Sequence, residues 1–156
     1  MERRESKADE GATPRQMLQK AYVLMNFGFF ERALAACDEA ARRSDEPLVA
    51  RTLEGAILTA SGRPMEAIRH LMPLHRRHRD AILTALYLAE ACLVAGRRRR
   101  GFKILDGLDD NLVDDSPWAS FADELRQTWQ QLDEVDDLPQ PLTVPLGEQP
   151  VVAEST

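Results

Sequence analysis

The sequence predicts an all-α protein, and three observations lead to that prediction. Aromatic residues are few, at 6% of the chain, while alanine and leucine are abundant. Val, Ile and Thr never gather into the alternating runs that are typical of half-buried strands. Small and apolar residues also recur at a fixed interval along the chain. With 156 residues, the chain has the length of one domain.

The recurring interval is 34 residues, and six columns of matching residues keep it. Gly28, Gly62 and Gly96 form the clearest column. Glycine after a helix adopts the left-handed conformation that a tight turn requires. Small residues are expected where the two helix axes of a unit approach to about 8–10 Å. The other columns are Ala21, Gly55, Ala89; Leu24, Leu58, Cys92; Ala33, Ala67, Gly101; Cys37, Leu71, Leu105; and Ala40, Leu74, Leu108.

Capping signals indicate where individual helices begin and end. Thr13, followed by Pro14 and Gln16, predicts a capping box at the start of the first helix. Asp80 is predicted to cap the first helix of the third unit, and Pro64 to begin the second helix of the second unit. Pro73 stands inside a helical pattern and predicts a kink or an early end there.

One further helix is predicted after the third unit, with Ser116 as its N-cap and Pro117 at its first position. It carries an apolar stripe, which predicts that this helix covers the last exposed face of the stack. The predicted domain therefore spans residues 13–135. Residues 1–12 and the acidic, proline-rich residues 136–156 are expected to be disordered. The stripe consists of Trp118, Phe121, Leu125, Trp129 and Leu132.

Charge is distributed unevenly along the chain. Residues 63–103 carry 10 basic and 3 acidic side chains, a balance of +7, whereas residues 104–156 carry 1 basic and 13 acidic ones, a balance of -12. These charges are expected to lie on solvated helix faces and in a solubilising tail. The alternative is that the basic stretch attracts an acidic partner or the protein's own tail.

Several function classes find no support in the sequence. The phosphate-binding and nucleophile motifs GxGxxG, GxxxxGK and GxSxG do not occur, so we expect no enzyme activity and no cofactor. His75 and His78 are surrounded by arginines, which argues against a metal site. Arg97 to Arg100 form one short run without stacking aromatics in an acidic chain, so nucleic-acid binding is not expected.

The predicted location of the protein is the cytoplasm. No stretch approaches 18 consecutive apolar residues, so membrane insertion is not expected. The first residues, MERRESKADEGA, lack the apolar region of a secretory signal. Cys37 and Cys92 fall in apolar helical patterns and are interpreted as reduced core residues.

A 34-residue period built from two helices resembles the tetratricopeptide repeat, over about residues 15 to 109. The resemblance implies three divergent units, a C-terminal capping helix and a right-handed α-solenoid. Two family features are missing. Met17, Arg51 and Ala85 stand where a large aromatic is usual, and no proline closes the units at Asp45 and Arg79.

The resemblance also implies a partner-binding groove on the concave face, lined by the first helix of each unit. The family's groove positions correspond here to apolar residues with a few polar ones, a composition suited to an extended or helical peptide. Alternatively, some of these residues pack against the terminal segments. The positions are Leu18, Tyr22, Met25, Thr52, Ala56, Thr59, Leu86, Glu90 and Leu93.

Three short units with a last helix look like the small cytosolic chaperones of bacterial type III secretion. The segment from Ala89 to Gly96 is similar to a passage in the third unit of the translocator chaperones of that class. This resemblance implies a non-catalytic protein that holds an aggregation-prone secretion subunit in its groove before export. A general scaffold or adaptor, and an oligomerisation protein acting as a homodimer, remain as alternatives.

Overall fold

The computed structural model describes residues 11–108 and 116–131, and these residues form seven α-helices and no β-strand. The prediction of an all-α protein is confirmed. The helices are α1 (Pro14–Asn26), α2 (Phe30–Arg43), α3 (Leu48–Ala60), α4 (Pro64–Arg77), α5 (Ile82–Val94), α6 (Arg98–Leu108) and α7 (Pro117–Gln131).

The first six helices form three pairs, and an equivalent turn joins the two helices within each pair. Gly28, Gly62 and Gly96 adopt φ angles of +83°, +83° and +81°. In each turn the glycine N–H donates to a carbonyl three residues earlier, at 3.0–3.1 Å, and the next residue's N–H donates five residues back, at 2.8–2.9 Å. These two bonds are the Schellman motif, which ends a helix on a left-handed residue. The 34-residue interval is therefore present in backbone hydrogen bonding as well as in side-chain type.

The pairs pack in chain order. The two helices of each pair contact one another, α2 contacts α3, and α4 contacts α5. The first helices also meet directly, since α3 contacts both α1 and α5. The helices α1, α3 and α5 therefore lie side by side on one face of the molecule.

Small residues allow this close packing within the pairs. Ala21, Ala33, Ala67 and Ala89 have no exposed surface. A Cβ atom added to Gly101 would lie 3.1 Å from the carbonyl oxygen of Ala89, so the backbones of α5 and α6 approach closely there. In the second pair the added Cβ of Gly55 would collide with the side chain of Leu71. The small residue at Gly55 thus makes room for a leucine two turns along α4.

The core consists of clusters that each join neighbouring helices. One lies between α1, α2 and α3 around Ile57, and a second between α3, α4 and α5 around Leu71. A third joins α5, α6 and α7 around Leu86 and Trp129. Cys37 and Cys92 are buried in the first two clusters, as predicted for core residues.

Helix α7 packs against α5 and α6 and covers the last pair, as expected of a capping helix. Leu125 and Trp129 of its apolar stripe are buried, whereas Trp118 stays exposed. Arg98 holds the end of α7, since its guanidinium lies 5.9 Å from the centre of the Trp129 ring and donates to the Trp129 carbonyl. Arg126 adds a 3.3 Å contact to Asp106 of α6.

Most of the predicted helix starts are confirmed, whereas the cap at Asp80 and the early helix end at Pro73 are wrong. Thr13 and Gln16 form the capping box, Pro64 begins α4, and the Ser116 hydroxyl accepts from the Ala119 N–H at 3.2 Å. Asp80 does not cap α5, because the N-cap is Ala81, without a side-chain bond. Helix α4 continues through Pro73 to Arg77. Pro73 lies on the exposed side, where water can solvate the carbonyl it leaves unpaired.

The predicted disordered ends fall largely outside the described residues. Residues 1–10 and 136–156 are not described, and neither is Leu132, the last member of the predicted stripe. Ala12 packs against the small cluster that Met17, Ala40, Ala41 and Ala50 form at the start of the first pair.

Two glycine-to-alanine substitutions test the helix packing. Gly55→Ala should lower the free energy of unfolding by about 1–3 kcal/mol, because the fully buried Leu71 side chain must move. Gly107→Ala, in α6 with open space around it, should raise that free energy by up to about 1 kcal/mol through helix propensity. Urea denaturation measures both. A Gly55→Ala variant as stable as the parent would contradict the packing at this site.

Candidate functional site

A cavity of about 350 Å³ lies where the first helices of the three pairs meet α7. Helices α1, α3 and α5 supply one side, and the first three turns of α7 supply the other. Most lining residues are apolar or aromatic, with a few polar groups among them, as is typical of ligand sites. The lining residues are Tyr22, Met25, Ala56, Ala60, Leu83, Tyr87, Glu90, Pro117, Trp118, Phe121, Glu124, Leu125 and Thr128.

Four aromatic side chains line the cavity. Tyr87 and Phe121 contact one another edge to face, with ring centroids 6.2 Å apart, and so link α5 to α7. Tyr22 and Trp118 are 46% and 40% exposed, so both present ring surface to solvent at the cavity. The exposed rings give an incoming molecule apolar area without any rearrangement of the core.

Glu90 is the buried ionisable group of the cavity. Its side chain is 4% exposed, and within the described residues it makes no hydrogen bond or ion pair. Burial raises the pKa of its carboxyl to about 8, and the negative charge of Glu124 on α7 adds to that increase. The pKa of the neighbouring Tyr87 hydroxyl is raised to about 12, mainly by burial and then by Glu90. Among the residues that the structure describes, Glu90 is therefore an acidic side chain in the cavity without a hydrogen-bonding or ionic partner.

The structure brings four of the nine predicted groove residues to the cavity: Tyr22, Met25, Ala56 and Glu90. Leu18 lies half-buried beside the clusters of the first pair. The other four residues, Thr52, Thr59, Leu86 and Leu93, are almost completely buried and do not line the cavity.

These four buried residues have partners within the protein. The hydroxyls of Thr52 and Thr84 bond at 2.8 Å between α3 and α5. The Thr59 hydroxyl donates to the Gly55 carbonyl at 3.2 Å. Leu86 and Leu93 pack in the cluster with α6 and α7. Thr52 is covered by the neighbouring first helix, and Leu86 and Leu93 are covered by α6 and α7. All four side chains are buried, so a partner cannot reach them in this structure.

Sequence reasoning missed much of the cavity, above all the contribution of α7, which was expected only to cover the stack. Trp118, Phe121 and Glu124 line the cavity from that side, and Leu83 and Tyr87 line it from α5. One signal was available. Glu90 is the one acidic residue in the otherwise apolar segment ILTALYLAEACLV. A lone acid in a helix that is apolar all round indicates a polar group directed at a site or a partner.

The histidines and cysteines of the described residues lie outside the cavity. In residues 11–108 and 116–131, no three His, Cys, Asp or Glu residues group closely enough to hold a metal ion. Burial, and then the charge of Arg79, lowers the pKa of His75. Burial raises the pKa of the Cys37 and Cys92 thiols to about 12 and about 11, which keeps them protonated.

The basic run at Arg97 to Arg100 lies at the third turn and the start of α6. Arg98 contacts the ring and the carbonyl of Trp129, as described above. In the described part of the chain, none of the helices is both long enough and apolar enough to cross a membrane.

Comparisons with known proteins identify no relative for this chain. No protein-family model, no curated protein and no solved structure matches it significantly.

The Thr52–Thr84 pair gives a test of how the first helices are joined. Thr52→Val should destabilise the protein by about 1–3 kcal/mol, because it leaves the buried Thr84 hydroxyl without its partner. The double variant Thr52→Val/Thr84→Val should recover most of that loss, since no unpaired hydroxyl remains. Urea denaturation of the four proteins in the cycle measures the coupling. Additive losses would show that the two hydroxyls do not interact.

Glu90 should make the stability of the protein depend on pH. Its folded-state pKa of about 8 lies above the ordinary value of 4.5, so the folded state binds the proton more tightly than the unfolded chain. The stability that this residue contributes is fully present below pH 4.5 and is lost as the pH rises towards 8, by at most about 1.4 kcal/mol per pH unit.

Glu90→Gln should remove this dependence. The difference in unfolding free energy between the variant and the parent should grow in favour of the variant from pH 5 to pH 8 and then stay constant. Chemical denaturation across that range measures it, with the exposed Glu31→Gln as the matched control. A difference that does not change with pH would show that Glu90 keeps an ordinary pKa.

Proposed function

We propose that the three helix pairs are divergent tetratricopeptide repeat units, stacked as a right-handed solenoid and closed by α7. The equivalent turns at Gly28, Gly62 and Gly96 support this proposal, with the same φ and the same two hydrogen bonds in each unit. The direct contacts of α3 with α1 and α5 support it as well, since stacked pairs place their first helices side by side.

On this basis the protein is a non-catalytic module that binds another protein. The observation that carries the proposal is the cavity on the face of the first helices, with Tyr22 and Trp118 exposed at it. Exposed aromatic rings beside a concave apolar site are the usual anchors of protein recognition, since they bury large areas at low entropic cost. An extended or helical segment of the partner would lie along this face.

The more specific proposal is a cytosolic chaperone that holds a type III secretion subunit before export. Burying an aggregation-prone apolar segment contributes about 25 cal/mol per Å² of apolar area, less the cost of ordering the bound chain. Because the ordering cost offsets part of the burial free energy, the subunit is bound tightly enough to prevent its self-assembly and weakly enough to be released. A scaffold or adaptor would use the same face for a partner that is soluble on its own.

A second candidate function is self-association, which is favoured by exposed apolar side chains around the turn between α1 and α2. Phe27 is 74% exposed, and Val23 and Phe29 beside it are more than half exposed. Neighbouring exposed apolar side chains are typical of interaction surfaces, and a homodimer would bury them.

Capture of partners by the full chain from the cytosol of its own organism tests the proposal. One stoichiometric protein should be retained, and Tyr22→Ala/Trp118→Ala should lose at least about tenfold in affinity for it, because both aromatic anchors are gone. Phe27→Ala is the matched control, an exposed aromatic that does not line the cavity. Full retention by the double variant would place the binding site elsewhere.

The state of the captured partner decides between the more specific functions. A partner that aggregates when expressed alone supports a chaperone, and one that stays soluble supports a scaffold. If only the chain itself is captured, and Phe27→Ala converts a dimer to a monomer by light scattering, self-association is the function.

A further inference from the structure

The two carboxyl groups of the cavity favour a positively charged ligand. Its two acidic residues are Glu90 and Glu124, and no Lys, Arg or His is among the described residues that line it. Glu90 is nearly completely buried without a hydrogen-bonding or ionic partner in the described chain. A buried carboxyl is normally paired, because the loss of its hydration is otherwise not offset. In the free protein Glu90 avoids an unpaired buried charge by holding its proton, whereas a cation that enters the cavity would stabilise the ionised carboxylate.

The walls of the cavity indicate which kind of cation fits. Aromatic faces attract ammonium and guanidinium groups, best when water is excluded. A Ca²⁺ or Mg²⁺ ion requires about six oxygen ligands, and two carboxyl groups among aromatic rings do not provide them. Lys and Arg combine a cationic head with an apolar stem that packs along rings such as those of Tyr22 and Trp118.

We propose that this cavity receives a lysine or arginine side chain of the bound protein segment, with Glu90 as its counter-ion and with Tyr22, Tyr87, Trp118 and Phe121 as its walls. The inference rests on the proposed protein-binding function and states the chemistry of the partner. Glu124, which is exposed, attracts the cation at the mouth of the cavity. Glu90 pairs with it inside, where the interaction is least screened.

Binding of this side chain releases a proton. The groups that face Glu90 are Glu124 from α7, Tyr22 from α1 and Tyr87 from its own helix. With a pKa of about 8, Glu90 is mostly protonated in the free protein at neutral pH. A neighbouring cation favours the ionised form, so affinity rises with pH by at most about tenfold per unit and becomes constant above about pH 8.

Titration of the full chain with N-acetyl-arginine amide, followed by NMR, tests the site directly. The indole N–H signal of Trp118 should shift, while that of the buried Trp129, which does not line the cavity, should stay in place. The matched probe N-acetyl-citrulline amide has nearly the same shape without the charge, and it should bind at least about tenfold more weakly. Equal binding of the two probes would overturn the inference.

Two variants then identify the counter-ion. Glu90→Gln should weaken binding of the arginine probe by about tenfold or more at pH 8.5 and abolish its pH dependence. Asp123→Asn removes one charge from the outer side of α7 and should leave binding unchanged. Unchanged affinity and pH dependence in Glu90→Gln would overturn the role of Glu90. Much tighter binding of putrescine than of the arginine probe would overturn the inference in favour of a free organic cation.

A selection from a random 12-residue peptide library on the full chain separates this inference from the proposed function. Enriched peptides that share a Lys or Arg, and that lose binding to Glu90→Gln, would support the inference. Enriched peptides without a common cation that still compete at Tyr22 and Trp118 would overturn it and leave protein binding standing. If no peptide is enriched although the arginine probe binds, the proposed function fails and the cation site alone remains.

Discussion

The close approach of the two helices in each pair is the constraint on which the rest of the structure depends. Alanine or glycine at the contact lets the backbones come together, and the left-handed glycine turn sets the direction in which the second helix returns. The same turn with the same two hydrogen bonds recurs every 34 residues, so the two helices of each pair are joined in the same way. Helix α3 packs between α1 and α5, and these three helices form the face that carries the cavity.

Stacking of pairs also explains why α7 has two roles. Helix α5 is apolar on all sides, and its buried residues face α3, α6 and α7 in turn. A last pair cannot bury such a helix alone, so a further helix is required to cover it. Leu125 and Trp129, in the C-terminal half of α7, provide this cover by packing in the cluster with α5 and α6. The guanidinium of Arg98 contacts the Trp129 ring and stabilises this packing. The other end, around Trp118 and Phe121, reaches the first helices and closes one side of the cavity.

Glu90 lowers the stability of this fold, because its carboxyl group is buried. A neutral residue of similar size would fit the apolar helix α5 without the cost of burying a carboxyl beside Glu124. Positions that break the local rules of a fold are typical of functional sites, because stability is lost there for an interaction that the free protein does not make. The exposed rings of Tyr22 and Trp118 are unfavourable as well, because their apolar surface remains in water.

The sequence by itself determined the helical class, the 34-residue interval, the glycine turns and the capping of α1 and α7. These features depend on local backbone chemistry and on periodicity, which one chain displays directly. Only the tertiary structure decided which groove positions are accessible. Thr52 and Leu86 have the spacing of groove residues, yet the neighbouring first helix and α7 cover them. The contribution of Phe121 and Glu124 to the cavity depends on where α7 packs, and that packing joins residues far apart in sequence, whose meeting no local pattern encodes.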